Sequence, residues 1–212
     1  MTHLYNFRKD YKLDSLSKKE MEENPISQFE KWMNQAISFD ITEPNAMTLV
    51  TSTPDGVPSA RVVLLKSFDE EGFVFFTNYD SRKGVELAQN HHACIVFDWH
   101  LIERQIRIEG FAEKTSAEIS DRYFNSRPHD SKLGAWISPQ STFIDDRDEL
   151  ESRKIKIETK FQNKPITRPP NWGGYVLKPH TIEFWQGRQS RLHDRLIYIK
   201  TGEEWILRRL AP

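Results

Sequence analysis

Between Ala46 and Tyr79 the chain turns to a period near two, in three runs broken by tight turn signals: AMTLVTST, then PDG, VPSARVVLLKSF, then DEEG and FVFFTNY. β-Branched and aromatic residues dominate these runs, and such residues fit a pleated, half-buried surface. The pattern predicts hairpin-linked antiparallel strands. ACIVFDWHLI and ERQIRIEGFAEK read as another strand pair, and the chain returns to strands in GGYVLKPHTIEFW, RLIYIK and EEWILRRL. Helices fall between them. Pro25 opens one in which Phe29, Trp32, Met33, Ala36 and Ile37 form a single apolar stripe, expected to pack into a core. Ser81 to Asn90, SAEISDRYFNSR up to Pro128, and the charged DDRDELESRKIKIETKFQN complete the set. Six or more strands joined by tight turns, with inserted helices, predict a mainly β fold with helices (α+β), a small closed or half-closed barrel rather than a doubly wound parallel sheet. Neither a GxGxxG nor a GxxxxGK[ST] loop is present.

Residues 1–24 are charged and weakly patterned and are expected to form an extended or mobile arm, with 25–212 as a single domain. The net charge is −1, from 30 basic and 31 acidic side chains. A chain so balanced has no global field to gather nucleic acid or an anionic membrane, so any anion site must be a local cluster. Cys94 is the only cysteine, which excludes an internal disulfide and a four-cysteine zinc site; a buried, inert thiol is expected. The adjacent His91 and His92 diverge on any regular element, and with no HExxH no metal site is expected. No GxSxG elbow suggests nucleophilic hydrolysis. No apolar run approaches the roughly 18 residues of a membrane span, and the first residues lack the apolar stretch of a secretory signal, so a soluble, cytoplasmic protein is expected.

Local basic clusters carry the chemical signal. Glu183 to Arg195, EFWQGRQSRLHDR, sets aromatics on a strand and then deploys Arg188, Arg191, His193 and Arg195; arginine keeps its proton and clamps planar anions. Arg191 and His193, two apart on a segment read as extended, are expected to point the same way, and Arg188 to be merely solvated. Ser81 is a good N-cap, yet Arg82 and Lys83 occupy the following first turn, where the helix dipole disfavours cations. A bound phosphate would compensate; so would simple solvation. In ARVVLLK, alternation sends Arg61, Val63 and Leu65 to one face and Val62, Leu64 and Lys66 to the other. Tyr123 and Arg127 share a helix face, and Pro128 can turn Ser131 back toward them, a donor set suited to a phosphate monoester. Gln105, Gln140 and Ser141 add neutral donors and acceptors.

Taken together, RVVLLK, FFTN, SRKG, RQIRIEG, YFNSRPHDSKLGAW, SPQS, IEFWQGRQSRLHDR and the terminal RLAP resemble the pyridoxamine (pyridoxine) 5′-phosphate oxidase family over nearly the whole chain, from about Phe7 to Pro212. The resemblance implies an FMN-binding split β-barrel that forms a homodimer, with FMN in a cleft made by both subunits. It implies oxidation of pyridoxamine or pyridoxine 5′-phosphate to pyridoxal 5′-phosphate, with O2 leaving as peroxide. The FMN contacts implied are Arg61, Val62, Val63, Leu64, Leu65, Lys66, Phe76, Thr77, Arg82, Lys83, Gln105, Gln140, Ser141, Trp185 and Arg195. The substrate contacts implied are Lys66, Tyr123, Arg127 and Ser131 for the phosphate, then Arg191, Leu192 and His193 about the ring, with Arg8, Lys9, Asp10 and Tyr11 as a covering arm. Phe76 stands where relatives often have Tyr, which limits it to backbone or ring contacts, and Glu43 stands where some have Asp.

Two phosphates, one on the cofactor and one on the substrate, require two basic groups, and Arg61/Arg82/Lys83 and Lys66/Tyr123/Arg127/Ser131 supply them. The expected chemistry is hydride transfer from the substrate C4′ to the flavin, with Arg191 and His193 as catalytic candidates; His193 either accepts a proton or only orients the ring. The competing readings are a split-barrel flavin reductase or FMN-binding protein without vitamer oxidase activity, and a non-enzymatic carrier of pyridoxal phosphate.

Overall fold

In a computed structural model, residues 4–6 and 9–212 are described; Arg8, expected in the covering arm, lies outside them. Five α-helices and nine strands follow in the order α1 (Pro25–Ser38), β1 (Ala46–Ser52), β2 (Pro58–Leu64), β3 (Ser67–Asp69), β4 (Gly72–Asn78), α2 (Arg82–Gln89), β5 (His92–Trp99), β6 (Arg104–Lys114), α3 (Ala117–Ser126), α4 (His129–Ile137), α5 (Arg147–Phe161), β7 (Trp172–Gln186), β8 (Asp194–Thr201) and β9 (Glu204–Leu210). The strand order is β2-β1-β5-β6-β7-β4-β3, with β8 on β7 and β9 on β8. β3 and β4, β4 and β7, β7 and β8, and β8 and β9 pair antiparallel. Among the described residues no helix is long and apolar enough to cross a membrane. The chain divides into two compact units: the first holds residues up to Leu49 with Cys94–Gly110 and Pro179–Pro212, the second Val50–Ala93 with Phe111–Lys178.

In the first unit, Asn24 caps α1 by accepting the amides of Ile26 and Ser27, and Pro25 sits at the first helical position where its missing N–H costs nothing. Ile26, Phe29, Trp32, Met33 and Ala36 are buried. Phe29 meets Phe97 edge-on at 5.1 Å and Trp32 meets Phe184 edge-on at 5.1 Å, the preferred arrangement for aromatic quadrupoles. Ile37, expected in this stripe, is 56% exposed: the buried face runs from Ile26 to Ala36 and leaves the last turn outside it. Residues 12–22 are tied down. Asp194 accepts the Leu16 amide at 3.0 Å, Arg209 bonds the Leu16 carbonyl at 2.8 Å, and the Tyr198 hydroxyl donates to the Glu22 carbonyl.

In the second unit β4 pairs with the start of β7, from Phe73 opposite Leu177 to Asn78 opposite Trp172. Phe73, Phe75, Tyr175 and Leu177 fill its core. Gly174, opposite Phe76, is required by close approach: a Cβ there would stand 2.8 Å from the Phe76 ring and 2.5 Å from the Thr115 hydroxyl. Where one helix was expected to stop at Pro128, a second begins: Pro128 has φ −54° and stands at the N-cap of α4. Likewise His100–Ile102, expected to continue a strand, is a 3-10 turn ending at Glu103 in the left-handed region. α5 is held by its Asp146 cap and Glu149–Arg153 pairing, and buries no residue.

Candidate functional site

The second unit contains a cavity of about 800 Å³, toward the top of the roughly 300–1,000 Å³ range of ligand pockets. Helix α2 opens onto it. Ser81 caps the helix, and Arg82 and Lys83 follow in the first turn as expected from the sequence, but neither bare solvation nor a ligand alone accounts for them. Arg82 Nε donates to Glu86 Oε1 at 2.8 Å, one turn along. Glu86, 3% exposed, also accepts from the hydroxyls of Thr51 and Ser59. Those hydroxyls in turn accept from Arg61, whose Nη2 stands 3.5 Å from Glu86 Oε2. Burial pushes the Glu86 carboxyl up, but these hydroxyls and Arg82 outweigh it and hold the pKa down at about 2.

Lys83 is buried, and its ammonium donates to Ser81 Oγ at 3.1 Å, Thr77 Oγ1 at 3.2 Å and Gln140 Oε1 at 3.4 Å. All three acceptors are neutral. Burial, reinforced by the charge of Arg61, pushes the Lys83 pKa down to about 8, with Glu86 offsetting only part. Arg61 and Arg82 thus both pair with Glu86, while the hydrogen-bond partners of Lys83 are neutral.

Lys66, Tyr123, Arg127 and Ser131 line the same cavity, as do Val62, Val63, Leu64, Phe76, Thr77, Gln140 and Ser141. Arg61 and Lys66 were expected on opposite faces of a strand; β2 ends at Leu64, and beyond it the alternation no longer applies, so both charges line one wall. Leu65 is buried and does not line the cavity, while Val62 lines it and is 69% exposed. The rings of Phe76, Tyr123 and Trp172 lie within 20° of parallel, Phe76 on Tyr123 at 4.0 Å. Arg127 lies over Trp172 at 4.7 Å, and burial lowers its pKa. Its Nη1 is buried with no hydrogen-bond partner among the described residues. An unpaired guanidinium nitrogen costs about 1–3 kcal/mol or more, so its retention in a cavity points to an anion that would satisfy it.

The first unit holds a cavity of about 700 Å³ lined by Lys9, Asp10, Tyr11, Arg188, Arg191 and His193. The segment bearing Arg191 is not extended as expected: Gln189–Arg191 is a 3-10 turn, with Ser190 at φ 55° and Arg191 at φ 60°. The turn nevertheless delivers Arg191 and His193 to one cavity. Trp185, His193 and Tyr11 form an aromatic corner, with centroids 4.6 Å apart for Trp185–His193 and 5.7 Å for Tyr11 to each. The backbone N–H of Arg188 donates to His193 Nδ1 at 3.1 Å, so the neutral ring carries its proton on Nε2. Burial, with the charge of Arg191, lowers the His193 pKa.

Arg195 is held on each of its three nitrogens: Nε and Nη2 grip Glu183 at 2.6 and 3.2 Å, and Nη1 bonds the Ala211 carbonyl at 2.9 Å. Glu183 also accepts from Arg107 at 2.7 Å. Arg188, expected to be only solvated, bonds the Asp14 carbonyl at 3.1 Å and lies 3.7 Å from Asp194. Leu192 is 68% exposed beside a smaller hollow of about 340 Å³. Gln105 is half-buried on β6 and lines neither cavity; Glu43 is exposed in a turn at φ 51°. Half-buried Cys94 has its thiol pushed up to about 11, chiefly by burial, and so stays protonated.

The sequence reading missed the carboxylates that organise these arginines. Glu86 was visible as the i+4 partner of Arg82. Glu183 was not, since its contact with Arg195 is a diagonal across β7 and β8 that needs the register, with Glu183 opposite Ile197 and Trp185 opposite Arg195.

Residues 33–161 match the family model described as pyridoxamine 5′-phosphate oxidase, and residues 172–212 the pyridoxine 5′-phosphate oxidase C-terminal dimerisation region. A pyridoxine/pyridoxamine 5′-phosphate oxidase of Acaryochloris marina is 54% identical over 211 residues, covering 100% of this chain and 96% of the relative. The crystal structure of PhzG from Burkholderia lata, in complex with tetrahydrophenazine-1-carboxylic acid, superposes with a TM-score of 0.88 at 32% identity, covering 94% and 99% of the two chains. A pyridoxamine 5′-phosphate oxidase-related, FMN-binding protein from Nostoc punctiforme gives a TM-score of 0.70 at 18% identity, over 91% and 100%, and shares the split-barrel fold.

Proposed function

The chain belongs to the pyridoxamine 5′-phosphate oxidase family, a family of oxidoreductases, and from that premise we propose that it oxidises pyridoxamine and pyridoxine 5′-phosphates to pyridoxal 5′-phosphate, with FMN as cofactor. The match to a dimerisation region supports a homodimer as the working unit. The observation that carries the reading is the buried Nη1 of Arg127, without a hydrogen-bond partner among the described residues, in a cavity also lined by Arg61, Lys66, Arg82 and Lys83. Arg61, Arg82 and Lys83, with Thr77, Gln140 and Ser141, fit a phosphate dianion and would hold that of FMN. Lys66, Tyr123, Arg127 and Ser131 would hold the phosphate of the vitamer. A flavin protein without vitamer oxidase activity would need the first set and leave the second without a ligand, which favours the oxidase.

Each charge-assisted bond contributes about 1.5–3 kcal/mol, so a few of them anchor a small dianion and leave its ring to be oriented by other groups. FMN held there would supply the two-electron acceptor, with O2 as the final acceptor giving H2O2. For the amine the balance is RCH2NH2 + O2 + H2O giving RCHO + NH3 + H2O2; for the alcohol, RCH2OH + O2 giving RCHO + H2O2. Arg191, which has no ion-pair partner among the described residues, is assigned to the vitamer ring, and Trp185, Gln105 and the Glu183-fixed Arg195 to the cofactor. His193, with Nδ1 already accepting from Arg188, is arranged to donate from Nε2 to a ring substituent, which favours an orienting role over proton acceptance.

The test is to add pyridoxamine 5′-phosphate to the FMN-loaded protein and follow aldehyde and peroxide. The reading expects one of each per vitamer consumed. Aldehyde binding without peroxide would leave a carrier, and neither product would leave a flavin-binding protein.

A further inference from the structure

Glu103 ends the 3-10 turn before β6 in the left-handed region, at φ 56°, and is 2% exposed. Its two ends hold different segments of the first unit. Carboxylate Oε2 accepts the amides of Lys12 at 2.8 Å and Leu13 at 3.0 Å, and Oε1 lies 3.2 Å from the Lys9 ammonium. The Glu103 carbonyl accepts the amide of Gly187 at 2.8 Å and the side chain of Gln186 at 3.2 Å. Gly187 is where β7 gives way to the turn bearing Arg191, and a Cβ there would stand 2.7 Å from Tyr11 Cγ. Burial pushes the Glu103 carboxyl up, but the Leu13 and Lys12 amides and Lys9 outweigh it and hold it ionised. A buried, ionised acceptor holding two consecutive amides has no water to replace it.

We propose that Glu103 is a positioning residue that latches residues 9–13 to the Gly187 turn and thereby sets Tyr11 as a wall beside Trp185 and His193. This rests on the assignment of that cavity to the vitamer ring. Glutamine at this position keeps the volume but carries no charge: with its carbonyl oxygen turned to the two backbone N–H groups its N–H2 faces the Lys9 ammonium, and turned the other way its N–H2 faces the amides. Either way the charge-assisted bonds are lost and the latch loosens, while the backbone corner made by the Glu103 carbonyl stays.

The experiment compares FMN-loaded wild type with Glu103→Gln by amide hydrogen exchange and by stopped-flow oxidation of pyridoxamine 5′-phosphate. In the variant the Lys12 and Leu13 amides are expected to exchange about tenfold faster or more. KM is expected to rise about tenfold, with flavin reduction at saturation within about threefold of wild type. Unchanged protection of the two amides overturns the latch. Lost protection with an unchanged KM overturns the positioning role, because a purely structural tether would produce that split. Should Glu103→Gln fail to fold, Gly187→Ala presses on Tyr11 from the other side and is expected to raise KM while the amides stay protected; an unchanged KM there overturns the Tyr11 wall. If wild type does not oxidise the vitamer, the function proposed above fails, and the exchange result alone upholds or overturns the latch.

Discussion

Three arginines of the first unit and the buried cations of the second unit's cavity are held in different ways. In the first, Arg195 is closed by Glu183 and Ala211, Arg104 by Asp14, Gln35 and Gln186, and Arg188 by Asp14 and Asp194. In the second, Lys83 is buried among neutral acceptors, and Arg127 keeps a buried nitrogen with no hydrogen-bond partner among the described residues. Arginines held by carboxylates and carbonyls in this way fix the shape around them. The unpaired nitrogen of Arg127 is a standing electrostatic cost that an arriving anion would remove. The larger cavity should therefore govern how tightly phosphates are held, and the aromatic corner how fast an aligned ring reacts.

The largest effect is expected from Arg82→Ala/Lys83→Ala, which removes two charge-assisted contacts worth about 3–6 kcal/mol together and should weaken FMN binding at least about a hundredfold. Fluorescence titration with FMN and with riboflavin checks this: riboflavin, lacking the phosphate, should bind the variant and wild type alike. Equal losses for both would erase the distinction between the units. Next, Arg127→Ala should raise KM for pyridoxamine 5′-phosphate by about thirtyfold, while FMN affinity stays within about threefold. A loss of FMN instead would reassign Arg127 to the cofactor. Smaller still, Arg191→Ala and His193→Ala should each slow flavin reduction at saturating substrate by about tenfold with FMN retained, and rates within about threefold would remove both from the mechanism.

The smallest effect concerns pH. Burial depresses the Lys83 pKa from 10.5 to about 8, so the fold disfavours its ammonium. The free protein gains stability as pH rises from about 8 toward 10.5, because only the unfolded chain stays fully protonated there. Phosphate binding needs the ammonium, so affinity runs the other way and should decline as pH rises through about 8. A calorimetric FMN series in wild type should show the decline, and Lys83→Arg should abolish it.

Much of this was legible in the chain. Period two from Ala46 to Tyr79 specified hairpins because the side-chain period of a strand is two, and Pro25 with a 3-to-4 apolar spacing specified α1. The basic residues around Ser81 and Arg127 were visible as types out of place in their elements. What stayed hidden depends on where elements stop. The side on which Lys66 lies follows from β2 ending at Leu64, and the conformation at Arg191 from two consecutive residues at positive φ that no glycine announced. Glu86, Glu183 and Glu103 looked like surface carboxylates in a sequence with 31 acidic residues; only the fold reveals that each is buried among donors.

That one cavity holds two phosphates is the claim on which the rest stands. Titrating pyridoxal 5′-phosphate calorimetrically into FMN-saturated protein tests it most directly. The expected result is one further phosphate compound bound per chain with FMN retained, and no such binding in Arg127→Ala. Release of FMN in step with pyridoxal 5′-phosphate uptake would show both phosphates competing for the same donors and would contradict the account.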